Sequence, residues 1–123
     1  MKLLMAPVLA LGLLVGSYSN SDEPGEADMR AAFTATLAAQ VQAALDFVAE
    51  TGGEEAVRKV RDAGTDRFEI RAFRKLDCAR DSILRGYICG FTVDIGVVDG
   101  ALARTLSGYF LPGPGGLAFR HEA

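Results

Sequence analysis

The chain has 123 residues, half of them hydrophobic, and a net charge of −3. That is room for one domain with its own core, and it lacks the basic excess expected of a nucleic-acid binder. Two cysteines and one histidine fall short of the four ligands a structural zinc site needs, so no metal and no cofactor is expected.

Residues 1–15, MKLLMAPVLALGLLV, carry one early lysine and then an apolar run; GSYSNS follows. A charged start, a short apolar stretch and small residues after it predict a secretory signal peptide over residues 1–19. As a helix, residues 3–15 would reach only about 20 Å, short of a ~30 Å hydrocarbon layer, so no stable anchor is expected after signal removal. LVGS at 14–17 is similar to a bacterial lipoprotein box, but Ser17 stands where that box needs an acylated cysteine. The predicted compartment is exported, periplasmic or secreted, in a bacterium. Residues 20–26, NSDEPGE, read as a linker, and residues 27–123 as a single α+β domain.

The linker runs into a helix start, with Ser21 or Asp22 as cap and Glu23 and Pro24 in the first turn. Phe33, Leu37, Val41, Leu45 and Val48 recur every three or four residues and form one apolar stripe on a long amphipathic helix. TGG at 51–53 is expected to end it. EEAVRKVRDAG, 54–64, predicts a short second helix with Gly64 at its C-terminal stop.

The period then changes to two. Phe68, Ile70, Ala72, Leu76 and Cys78 alternate along a first strand, with Arg74 the exception on that face. Tyr87, Cys89, Phe91, Val93, Ile95 and Val97 alternate along a second, over 87–98. VDGA at 98–101 predicts a two-residue Asp-Gly turn into a third strand at 101–111. PGPGG at 112–116 reads as a loop and LAFRH at 117–121 as a last strand. Asp99-Gly100 as the turn pairs Val93 with Leu106 and Cys89 with Phe110. Phe110 opposite Leu117 then places Phe119 beside Gly108. In the first hairpin, Cys78 opposite Cys89 aligns Leu76 with Phe91, Arg74 with Val93 and Ala72 with Ile95. The cysteine register thus agrees with the apolar alternation.

The expected fold is a long N-terminal helix plus a short second helix on a four-stranded antiparallel meander. This element order, with Lys75, Cys78 and the Gly86-Tyr87-Ile88-Cys89 stretch, resembles cystatin-like and NTF2-like α+β rolls among small exported bacterial proteins. The resemblance implies a fold and little about activity.

Export and an even cysteine count predict a Cys78–Cys89 disulfide. No catalytic set is found. SGY at 107–109 lacks the flanking glycines of a nucleophile elbow, and LPGPGG at 111–116 lacks the ending of a phosphate loop. Arg74 and Arg104 fall on otherwise apolar strand faces. With His121, the only histidine, they are the candidate ligand-binding residues of a pocket between helix and sheet. Asp46 and Glu50 are possible partners for the arginines. Arg71 and Lys75 could meet an acidic partner from the other face of the first strand, and Ile83 and Leu84 could meet a partner at the tip of the cysteine-closed loop. The leading expectation is an exported domain that binds a protein or cell-envelope component without catalysis. The alternatives are an NTF2-like pocket protein acting on a small ligand, or an inhibitor of a secreted enzyme. The sequence leaves the oligomeric state open.

Overall fold

Alanine, leucine and glutamine favour helix, and no proline follows Pro24 until residue 112. In the computed structural model, which describes residues 23–122, helix α1 accordingly spans Glu26–Ala63. The expected signal segment and residues 20–22 of the expected linker lie outside the described residues. Ser21 and Asp22, expected as caps, do so too. The N-cap is Gly25 with extended backbone and no side-chain cap, and Glu26 and Asp28 place negative charge in the first turn.

Glu23 and Pro24 do not sit in that turn. Lys75 holds them: its Nζ lies 2.6 Å from the Glu23 carboxylate and donates to Pro24 O at 2.7 Å. At the other end, Gly64 in the left-handed region (φ 77°) donates its N–H to Arg61 and Val60 carbonyls, the expected stop. The break expected at 51–53 is narrower than a loop. Only Gly53 leaves helical geometry (φ 76°), as a kink within one helical element.

The sheet has four antiparallel strands in sequence order: β1 Glu69–Asp81, β2 Gly86–Val97, β3 Gly100–Gly113 and β4 Gly116–His121. The Cys78–Cys89 pairing holds, but the rest of the first hairpin departs from a uniform ladder. Bulges lie between Ile70 and Ala72 and between Lys75 and Cys78. Each extra residue flips the following side chains to the other face. Phe73, not Arg74, therefore faces the core opposite Val93, and Leu76 turns outward to cover Gly90.

The other two hairpins sit two residues from the expected registers. Phe91 pairs with Leu106 and Tyr87 with Phe110, so the turn is Val98-Asp99, and Gly100 (φ 139°) supplies the geometry beside it. Phe110 pairs with Phe119, which reduces the expected loop to a Pro114-Gly115 turn. A shift of two preserves faces, so the expected inward residues are still inward.

The core is built from phenyl rings. Phe33 of α1 meets Phe73, Phe91 and Phe119 at centroid distances of 6.1, 5.2 and 5.3 Å. Phe91 stacks on Phe73 at 4.9 Å and meets Phe110 and Phe119 edge-on. Met29, Ala32, Ile70, Cys89 and Val93 complete the buried cluster. A Cβ on Gly108 would run into the Phe119 ring, so the expected aromatic-over-glycine packing is present despite the shifted register. Polar groups of α1 also tie the sheet's two outer strands. Arg30 Nη2 donates to Ile70 O at 2.6 Å, Glu26 Oε2 accepts the Lys75 N–H at 2.9 Å, and Thr36 Oγ1 donates to Phe119 O at 3.2 Å.

Candidate functional site

Cys78 and Cys89 are disulfide-bonded, with Cα atoms 4.1 Å apart, the close spacing of a non-hydrogen-bonded strand pair. Beyond the crosslink, the ladder continues through Ala79–Ile88, Arg80–Tyr87 and Asp81–Gly86. The loop is thus four residues, 82–85, and the rest of the span between the cysteines is strand. Asp81 fixes it: one carboxylate oxygen accepts the N–H groups of Ile83 (2.7 Å) and Leu84 (2.9 Å). This is the turn chemistry an Asp at a loop entrance favours, and Asp81-Ser82 was its sequence signal.

The tip then presents its two apolar side chains differently. Ile83 is 86% exposed, whereas Leu84 is half-buried and, with Ile83, Leu111 and Pro112, lines an open depression of about 500 Å³. Gly86 lets β2 approach β3 here, since a Cβ would overlap Phe110 O and Leu111. A disulfide hints at an oxidising, exported environment.

Two other proposed contact residues behave differently from each other. Arg71 is exposed and lies over Gly96, its Nε 2.9 Å from where a Cβ would stand. Lys75 is occupied, holding Glu23 and Pro24 against β1, and is not presented to a partner.

Arg74 and Arg104 both border an open trough of about 760 Å³ across β1, β2 and β3, with Glu26, Asp94 and Thr92 among its other lining residues. Their side chains are nevertheless on opposite sheet faces: Arg74 pairs with Thr92 on the outer face, and Arg104 with Val93 on the face that carries the core. Both are exposed, and Arg104 folds its own guanidinium onto Ala103 O at 3.0 Å. Neither forms an ion pair with Asp46, which accepts from Gln42, and the Phe33 ring of α1 meets the Phe73, Phe91 and Phe119 rings between helix and sheet. One oxygen of Asp94 is buried without a hydrogen-bond partner.

His121 lies opposite Gly108. Its ring packs edge-on against Phe119 at 4.9 Å, and Gln40 Nε2 stands 2.9 Å from its Nε2. Among the described residues no carboxylate forms an ion pair with it, and through Gln40 and Phe119 the ring docks α1 on β4. Among the described residues, no three of His, Cys, Asp and Glu are grouped to hold a metal ion. α1 is long and apolar enough, by length and composition, to cross a membrane, yet it lies against the sheet through Met29, Ala32 and Phe33. The chain matches no protein-family model, and no curated protein or solved structure is similar to it.

Proposed function

We propose that this chain is an exported domain, periplasmic or secreted, that binds a protein or cell-envelope component without catalysis. The observation carrying this reading is the Ile83 tip: a branched apolar side chain, 86% exposed, on a four-residue loop closed by a disulfide and an Asp81 turn. A lone exposed hydrophobe on a mobile loop is ordinary. One on a stapled loop loses little conformational freedom on binding, which lowers the cost of association. The candidate ligand-binding residues support this reading rather than the pocket alternative, because Arg74 and Arg104 are exposed and His121 serves the helix–sheet contact. A cystatin-like or NTF2-like roll remains the proposed fold relationship, carried by element order alone.

The test compares the wild-type chain with Ile83→Ser/Leu84→Ser, both with the disulfide intact, as baits in envelope extract. The reading expects the same protein band to be retained by the first and lost by the second. Equal retention removes the tip. A tight, saturable small-molecule ligand together with no retained protein overturns the protein-binding reading itself.

A further inference from the structure

The sheet's outer edges are treated unequally. On β1, the outward-pointing groups of Ile70 and Lys75 are taken by Arg30 and Glu26, and two bulges interrupt the edge. On β4, the outward carbonyl of Phe119 is taken by Thr36. β3 is longer than β4: pairing with β4 occupies only Gly108 through Gly113, so residues 101–107 pair with β2 on one side and have no strand on the other among the described residues.

The hydrogen-bonding phase of this free stretch follows from the disulfide. Cys78–Cys89 is a non-hydrogen-bonded pair, so Cys89 points its N–H and C=O at β3, as do Phe91, Val93 and Ile95. Their partners Gly108, Leu106, Arg104 and Leu102 point back at β2. Ala101, Ala103, Thr105 and Ser107 must then point their backbone groups away from the sheet. The same phase puts Phe119 O outward, where Thr36 is found, which checks the assignment. All four of these residues are exposed and small.

We infer that residues 101–107 of β3 are a strand-addition site for an extended segment of another protein, antiparallel, with an apolar–acidic–apolar pattern at alternate positions. The backbone row supplies the pairing chemistry. Leu102 (40% exposed), Arg104 and Leu106 line one face beside it and set the pattern. An incoming strand would set apolar residues opposite the two leucines and an acid opposite Arg104. Arg104 is the only charged residue in β3, and among the described residues it meets no carboxylate at hydrogen-bonding distance; its guanidinium rests on Ala103 O, one of the outward carbonyls an added strand would take over.

A second copy fits less well. The antiparallel self-pairing that matches Leu102 with Leu106 also sets Arg104 directly opposite Arg104, and like charges so placed are destabilising. The inference shares with the proposed function the premise that a protein is bound, but it assigns a different surface from the Ile83 tip.

The probe is a capped synthetic peptide, Thr-Val-Thr-Glu-Thr-Val-Thr, added to the full chain with its disulfide intact. Amide NMR shifts and hydrogen exchange then map the contact. The expected result is saturable binding with perturbation centred on residues 101–107. Thr105→Pro removes one outward N–H while leaving the β2 ladder intact, and should weaken binding about tenfold. Arg104→Glu should weaken it about fivefold, and a peptide with Lys in place of Glu should recover the loss. This charge swap keeps the test decisive if the proline variant folds poorly. Binding that maps elsewhere, or no binding of either peptide by either protein, overturns the inference and leaves the tip reading standing. A chain that dimerises alone through this edge, with Thr105→Pro abolishing the dimer, overturns the assignment to a foreign segment.

Discussion

Phe91 sits at the centre of the ring cluster, and replacing it tests whether the rings or the ladder dominate stability. Its side chain is fully buried and meets four other rings, Phe33, Phe73, Phe110 and Phe119, at 4.9–5.9 Å. Truncating a buried phenylalanine to alanine costs ~3–5 kcal/mol in lost transfer energy and cavity. Each favourable ring pair adds ~0.5–1.5 kcal/mol beyond burial, so the upper end applies here. A domain of this size has ~5–15 kcal/mol of stability in all, and Phe91→Ala should remove a third or more of it. Phe91→Leu keeps most of the volume and loses the ring geometry, for about 1.5 kcal/mol. Phe47→Ala, at a ring 65% exposed on α1, should change stability by no more than about 0.5 kcal/mol. Urea unfolding followed by far-UV circular dichroism separates the three, provided the slopes match. A Phe91→Ala loss below about 1.5 kcal/mol, or one equal to that of Phe47→Ala, would refute the cluster as the centre of the fold.

The disulfide closes a short loop, its cysteines 11 positions apart, so the Cys78→Ala/Cys89→Ala pair should lower stability by about 3 kcal/mol in urea unfolding. An unchanged midpoint would mean that the Asp81 turn already restrains the unfolded hairpin. Gly108→Ala would drive a methyl group into the Phe119 ring and should cost ~1–3 kcal/mol. Gly90→Ala, whose new atom would meet Leu76 and Leu106 at ordinary contact distance, should stay within about 0.5 kcal/mol in the same assay.

How much of this was legible in the sequence depended on whether an error changed a face. The β2–β3 and β3–β4 registers are each two residues from the alternation-based pairing, yet Phe91, Leu106, Phe110 and Phe119 remain on the expected side. Side-chain direction repeats every two residues, and the apolar pattern cannot distinguish registers that differ by a full repeat. The bulges of β1 are different. Each adds one residue, so Arg74, which alternation placed inward, is outward, and Phe73 takes the core position. Arg74 had marked the problem: a lone charge in an apolar series is the signal a bulge leaves. The site was less legible than the fold. Ile83 and Leu84 could be placed at a tip because the cysteines fix the hairpin. That Lys75 would be consumed by Glu23 and Pro24, 52 and 51 residues away in sequence, left no local trace.

The helix explains why one edge stays open. Glu26 and Arg30 reach β1, Phe33 sits over the rings, and Thr36 reaches β4. From residue 26 to residue 36 a helix rises ~15 Å, and four strands span ~14 Å between their outer axes. One pass of α1 across the sheet therefore delivers polar side chains to both outer strands, to β1 in the rows of Leu102 and Leu106 and to β4 in the row of Phe110. Further along β3, the outermost strand is no longer β4 but β3 itself, and the residues of α1 that guard an edge have already been used. Neither β3 residues 101–107 nor their leucines carry the usual protections of an exposed edge: there is no proline, no bulge and a single charge, Arg104. Long edges of this kind invite pairing, and the charge that remains disfavours a second copy in the leucine-matching register. α1 thus ties β1 on one side and β4 on the other, and the outer side of β3 residues 101–107, which neither tie reaches, is left able to accept a strand.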